Sequence, residues 1–380
     1  MIRGVLIFLA VTNVYLYVKL RSGFKNGLWN WIYLLWALLG AILPLTFVFR
    51  GRFLGAGREA EVAFALSFTW VAILGMACLG FFFMDAASLG ARLADRLGAP
   101  NWRARFFDPR KCVPVTSILI AAVVAYSFWE AWNVRRVDLT LETEKLPEGV
   151  ERLRLVHLTD LHIGGLYTLG RLAKVMDIVG EAQPDLLVMT GDLVDGDMSF
   201  RGREAKLLAG HGAKYGAYAV TGNHDFYSGI EQASDFMRRS GFVLLRDARV
   251  DVAGLTLIGL EDPAKFGRRV LGPEPLPRGT FFPQGRFTLL LKHRPQVIQG
   301  TEGKFDLQLS GHTHGGQIWP FGYLVKWLNG SVQHLSYKGE SAVYVSNGAG
   351  FWGPPLRFLT PPEVTVIDLV KKSGIMTSTR

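Results

Sequence analysis

Hydrophobic and polar positions divide this chain into two regimes. Up to about residue 132 the apolar runs are long. Windows 28–49, 62–84 and 113–129 carry no charged residue, and 4–18 is bounded by Arg3 and Lys19. A helix rises about 1.5 Å per residue, so roughly 20 apolar residues cross a hydrocarbon core about 30 Å thick. The first window is short, but Arg3 and Lys19 can snorkel from its ends and let it reach. The pattern therefore predicts four transmembrane helices over 4–18, 28–49, 62–84 and 113–129. A cleaved signal peptide fits residues 1–20 poorly, because no small-residue cleavage site precedes Lys19 and three more spans follow.

After Asn133 the apolar runs shorten and turn residues punctuate them. Runs at 154–158, 185–190, 215–221, 287–291, 306–309 and 342–346 predict buried strands, and 255–259 and 364–370 add two more. Helical periodicity at 169–182 and 202–213 separates the first three strands, giving β-α-β-α-β and a largely parallel sheet. The expected organisation is a four-span anchor over 1–132 and an α/β domain over 133–380.

Charge sharpens this division. The 380 residues carry a net +10; residues 1–132 hold 13 basic and 6 acidic side chains, and 133–380 hold 29 and 26. Most of the excess belongs to the apolar region, which points to a membrane before nucleic acid. Trp29, Trp31, Trp129 and Trp132 stand at window ends, where an indole suits the headgroup boundary. The loops after the first and third spans carry nine Lys and Arg against six on the other side. The positive-inside rule then places those loops in the cytoplasm and the C-terminal domain outside it. No charge lies inside the windows to mark an ion path, which favours an anchor over a transporter. Two cysteines exclude a disulfide framework.

The chemistry-bearing residues follow the predicted strands. All eight histidines lie from His157 onward. Strand ends deliver Asp160-Leu161-His162, Gly191-Asp192, Gly222-Asn223-His224-Asp225, Lys292-His293 and Gly311-His312-Thr313-His314-Gly315. Open α/β sheets bind ligands at that edge. On extended backbone, Asp160 with His162, and His312 with His314, would share a face at spacing i, i+2. With Asp192, Asn223 and His293 the set reaches seven, too many for one tetrahedral zinc and suited to two ions bridged by a carboxylate. Mixed oxygen and nitrogen ligands suit manganese, iron or zinc. Paired ions of this kind serve phosphoester hydrolysis, with a nearby histidine free to protonate the leaving oxygen.

This ordered set resembles the calcineurin-like metallophosphoesterase superfamily over about residues 150–370. The resemblance implies two packed mixed β-sheets flanked by helices. It also implies that Asp160, His162 and His314 hold one ion, Asp192 bridges, and Asn223, His293 and His312 hold the other. His224 would be the acid that is not a ligand, oriented by Asp195 of Gly-Asp-Leu-Val-Asp. Gly-His-Thr-His-Gly-Gly-Gln, Tyr344-Val345-Ser346-Asn347-Gly348, Pro355-Leu356-Arg357-Phe358 and Pro361-Pro362-Glu363 resemble the single-chain bacterial branch of YkuE and YaeI type. Some relatives there act on cell-envelope or lipid A precursors, so a bacterial inner-membrane location is implied.

Other residues carry weaker expectations. Asp195 and Asp197 equally suit a helix cap, and Asp225 suits either a turn or a support behind the metal ligands. Lys292 and Arg294, flanking His293, could assist phosphate binding, but solvated surface charge is the better reading. Arg357, among Trp352, Pro354, Pro355 and Phe358, is expected to clamp a substrate phosphate rather than order its loop. His157, His211 and His334 read as structural. The aromatic segment 318–335 fits a lid, a lipid-facing surface or core filler. The sequence thus predicts a membrane-anchored two-metal phosphoesterase whose partners are a phosphoester, in one reading amphiphilic, and the lipid bilayer. A nuclease or cyclic-nucleotide-type phosphodiesterase fits less well, because residues 133–380 carry only +3 and no basic aromatic stripe. A scaffold with a vestigial site conflicts with the complete ligand set.

Overall fold

The computed structural model describes residues 2–24, 31, 35, 36, 38, 58–98, 101–267, 274–330 and 333–372. The chain divides into two compact units, Met1–Trp129 with Gly353–Leu356, and Glu130–Trp352 with Arg357–Arg380.

The first unit holds α1 (Ile2–Gly23), α2 (Arg58–Arg96), α3 (Trp102–Phe106) and most of α4 (Pro109–Trp132). Among the described residues, Glu61–Arg96 within α2 and the whole of α4 are long and apolar enough to cross a membrane. The first expected span falls in α1, the third in α2 and the fourth in α4; most of the second, 28–49, lies outside the described residues. Leu9 and Leu16 pack with Leu74, Ala77 and Phe81 and with Val113, joining α1, α2 and α4. Lys19 and the Tyr15 hydroxyl both reach Asp85, so α2 continues past its apolar window with its first carboxylate paired.

The second unit is built on two six-stranded mixed sheets. One runs β1 (Arg135–Thr143), β12 (Glu363–Lys371), β2 (Arg152–Leu158), β3 (Leu186–Thr190), β4 (Ala217–Val220), β5 (Phe242–Leu244). The other runs β10 (His334–Lys338), β11 (Ser341–Val345), β9 (Leu307–Ser310), β8 (Thr288–Leu291), β7 (Leu255–Gly259), β6 (Ala248–Val252). Strands β2 to β5 are mutually parallel, as are β7, β8, β9 and β11. Successive side chains alternate between faces, and this fixes the layers. Leu155, Val188 and Val220 point to the same core as Leu257, Leu289 and Leu309 of the other sheet. Their neighbours Val156, Leu187 and Ala219 pack instead under α5 (Leu169–Ala182), α6 (Gly202–Ala209) and α8 (Ile230–Arg239), through Val175, Leu208 and Phe236. Both faces of the central strands are buried, which explains their near-continuous apolar runs.

Polar residues also face the core between the sheets, His157 among them. His157 shares its parity with Leu155, is buried, and places Nε2 2.7 Å from the Thr190 hydroxyl. Burial pushes its pKa down to about 3, whereas an unfolded histidine titrates near about 6.5. The unfolded chain therefore takes up a proton that the native state refuses. Stability should be unaffected above about pH 6.5 and fall between there and pH 3, by up to about 1.4 kcal/mol per unit. Denaturant melts of wild type and His157→Gln across that range check this: the substitution should flatten the slope.

Candidate metal centre

Every candidate ligand follows the carboxyl end of a strand. Asp160 and His162 come after β2, Asp192 after β3, His293 after β8, and His312 and His314 after β9. Asn223 and His224 open the short helix α7 (Asn223–Ser228) beyond β4. The backbone corrects one step of the sequence argument. Asp160, His162, Asp192, His312 and His314 all take left-handed backbone, with φ from 49° to 69°, not the extended form expected. The paired side chains converge by tight turning, not by strand alternation. That conformation costs an L residue roughly 1–2 kcal/mol and persists only where surroundings impose it.

The surroundings here are hydrogen bonds between the loops. Asp160 N–H donates to Gly191 O at 3.1 Å and His162 N–H to Asp192 O at 3.0 Å. His312 N–H donates to both Asp160 carboxylate oxygens, at 3.1 and 3.0 Å. Gly311 leaves room for this, since a Cβ there would lie 2.0 Å from Asp160 Oδ2. Asp225 accepts from the N–H groups of Gly222 (2.7 Å), Asp192 (3.0 Å) and Val194 (3.2 Å), tying the β3 and β4 loops together. Burial and the Asp192 charge push its pKa up to about 7.

Two clusters result, meeting at Asp192. In one, His162 Nε2 lies 3.1 Å from His314 Nε2, and Asp160 Oδ1 lies 3.3 Å from His314 and 3.9 Å from His162. In the other, His293 Nε2 lies 3.2 Å from His312 Nδ1 and 3.1 Å from Asp192 Oδ2. That same Oδ2 is 3.7 Å from His162 Nε2. In each trio the ligand atoms lie within 4.8 Å of one another.

The Calcineurin-like phosphoesterase profile matches residues 153–316. An uncharacterized metallophosphoesterase of Campylobacter jejuni is 31% identical over 97% of this chain and 97% of its own. The chain belongs to the calcineurin-like metallophosphoesterases. The uncharacterized metallophosphoesterase YkuE of Bacillus subtilis is 31% identical over 64% of this chain and 87% of its own. A zebrafish (Danio rerio) protein named as a transmembrane protein with metallophosphoesterase domain is 29% identical over 79% and 74% respectively.

The residues of this metallophosphoesterase fit divalent cations on their own chemistry. Burial and neighbouring positive charge hold His312 and His314 well below the ordinary histidine range, so both keep lone pairs for a cation. Burial opposes ionisation of Asp192, but His293, His224 and His162 outweigh it and hold the carboxyl well below its usual range. His293 faces Thr190 O through Nδ1 at 2.8 Å, the backing expected of a histidine that coordinates through its other nitrogen. Asn223 is buried, and its Oδ1 has no hydrogen-bond partner among the described residues. A buried carbonyl oxygen with no partner among the described residues is free to take a cation.

His224 stands at the edge of this set. Its backbone N–H donates to Asp192 Oδ1 at 2.7 Å, and its Nδ1 lies 3.4 Å from Asp195 Oδ1. Asp195 Oδ2 is 3.6 Å from His162 Nδ1, so one carboxylate serves both rings. Burial opposes protonation of His224, but Asp192 and Asp195 outweigh it and raise its pKa to about 9. His224 also falls within 4.8 Å of His162 and Asp192, close enough to serve as a ligand itself. Tyr227 and Trp352 pack edge-on against its ring.

Arg357 does not do what the sequence suggested. It is fully buried and donates to the carbonyls of Gly350 (2.7 Å), Asn347 (2.9 Å), Thr360 (3.2 Å) and His314 (3.2 Å), with Nη2 3.1 Å from His314 Nδ1. Every nitrogen is committed, so this guanidinium braces the His314 loop and has none left for substrate. Arg357→Met should leave those carbonyls unsatisfied and cost on the order of 3–5 kcal/mol, lowering Tm by roughly 10 °C. A substrate clamp would instead raise KM at unchanged Tm. Lys292 and Arg294 also depart from the solvated-charge reading. Lys292 is buried, 2.6 Å from Glu274 and 2.9 Å from Arg294 O, and Arg294 is bidentate on Asp262.

Proposed function

We propose that this chain is a membrane-anchored phosphoester hydrolase with two divalent cations, manganese, iron or zinc, acting on phosphate or pyrophosphate esters carried by lipid or other cell-envelope molecules. The observation that carries the two-cation reading is Asp192 Oδ2, which faces His162 of one trio at 3.7 Å and His293 of the other at 3.1 Å. Asp160, His162 and His314 would hold one ion; Asn223, His293 and His312 the other; Asp192 both. Bound cations would supply Lewis-acid polarisation of a phosphoryl oxygen and a lowered pKa for water.

The chain's own residues supply the rest. The Asp195 carboxylate, 3.4 Å from Nδ1, favours the imidazolium form of His224 and leaves Nε2 as the nitrogen that gives a proton to the departing oxygen. Arg357 and Asp225 hold the ligand loops in shape. A membrane anchor is supported by α4 and the Glu61–Arg96 stretch, and the basic-loop balance favours an extracytoplasmic catalytic domain, which C-terminal reporter fusions would test.

Assaying the full chain in detergent with para-nitrophenyl phosphate and its bis ester, with and without manganese, tests this function. Cation-dependent turnover of one or both is expected, and their ratio reads monoester against diester preference. No turnover with manganese, or with iron or zinc in its place, would favour the scaffold reading.

A further inference from the structure

Of segment 318–335, for which the sequence offers lid, lipid surface or core, Leu335 packs against the core between the sheets, whereas most of 319–330 is exposed. It contains α9 (Phe321–Asn329), whose aromatic and aliphatic side chains are presented to solvent: Trp327 is 78% exposed, Tyr323 70% and Leu328 65%, with Phe321 and Leu324 also exposed. A patch of this kind marks an interaction surface. The helix is tightly seated at its base. A Cβ on Gly316 would lie 2.3 Å from Gly322 N, and one on Gly322 2.6 Å from Gly315 O, so α9 rests directly on the turn that follows His314.

Beside α9 lies a cavity of about 440 Å³ whose lining includes Tyr323 and Lys326 of that helix, Trp319, His334 and Arg135. Glu363 is the one carboxylate among the lining residues, and it is occupied by the Tyr344 hydroxyl at 2.9 Å and Asn347 N–H at 3.2 Å. Buried Glu130 stands behind the lining, 3.6 Å from Arg135 Nη2 and accepting from Thr360 N–H at 3.2 Å, so Arg135 is paired on one side and half-exposed on the other. The cavity is thus lined by the cationic Arg135 and Lys326 together with the exposed indole of Trp319 and phenol of Tyr323. That pairing suits an acidic headgroup entering between aromatic anchors at a membrane surface. Chain connectivity gives the second argument. Arg135 follows Trp132, the last residue of a helix able to cross a bilayer, by three residues, a reach of at most about 10 Å.

We propose that α9 lies in the bilayer interface and that the adjoining cavity binds the phosphate headgroup of an anionic phospholipid. This inference rests on the membrane-anchored reading and adds a lipid site outside the metal centre. The seat would hold the His314 turn, through the Gly315–Gly316 contact, at the depth of the headgroups.

The full chain in nanodiscs and in neutral detergent tests both parts. The difference emission between wild type and Trp327→Phe isolates Trp327. It should be quenched by more than half with brominated acyl chains and be shielded from aqueous iodide. Quenching by iodide alone, or shielding from both, would place α9 in water or against another copy and overturn the proposal. In native mass spectrometry of the delipidated chain, phosphatidylglycerol should bind on the order of ten-fold more tightly than phosphatidylcholine. Arg135→Gln with Lys326→Gln should erase that preference, while Arg135→Lys with Lys326→Arg retains it. Equal binding of the two lipids, an unaltered preference in the Gln variant, or displacement by millimolar inorganic phosphate would overturn it. Hydrolysis of para-nitrophenyl phosphate needs neither lipid, so failure of this seat and failure of the hydrolase reading register separately.

Discussion

Asp192→Asn should release both cations at once and lower activity by more than the roughly 10- to 100-fold expected from disturbing a residue that only supports a ligand. The expectation follows from position. Asp192 Oδ2 faces both trios, while Oδ1 accepts the His224 N–H at 2.7 Å. Asparagine keeps the shape and removes the charge that lies between His162 and His293. Elemental analysis of the purified variant should find the metal content of both halves reduced, whereas His312→Ala should spare the Asp160–His162–His314 half. Retention of one full equivalent in Asp192→Asn would mean that the carboxylate serves a single ion.

His224→Ala carries the second large effect. A positioned proton donor contributes roughly 10²- to 10⁴-fold, and turnover should fall by that amount with metal content unchanged. Loss of metal would instead make His224 a ligand, as its proximity to His162 and Asp192 permits. The pH profile adds a signed test. Asp195 helps hold the imidazolium, so Asp195→Asn should lower the His224 pKa and move the alkaline limb of kcat to lower pH. Cations beside Asp192 lower the absolute value, so the direction of displacement is the diagnostic quantity. An unmoved limb would remove His224 from proton transfer.

How much of this was legible in the sequence differs by residue, for physical reasons. Buried strands such as β3 and β8 write themselves as short apolar runs, and the ligands follow them directly. Edge strand β1 also alternates, with Val137, Leu139 and Leu141 half-buried between exposed or polar neighbours, but three half-buried positions are a faint signal beside the transmembrane windows. The pairing of Asp160 with His162 is legible in the sequence but its geometry is not, because strand periodicity does not extend into left-handed turns. Arg357 misled because a guanidinium among prolines and aromatics looks alike from sequence whether it faces a phosphate or five buried carbonyl and ring acceptors. Asp225 is legible as a turn residue or a support behind the ligands, but which N–H groups it holds is not, because its three partners come from two loops about 30 residues apart and only folding joins them.

Cation stoichiometry in the chelator-treated full chain, titrated with manganese while turnover of bis-para-nitrophenyl phosphate is followed, decides whether Asp192 joins two ions. Convergence on Asp192 predicts close to two ions per chain, with turnover rising as the second site fills. A single ion supporting full turnover, or turnover that persists with no metal bound, would contradict it.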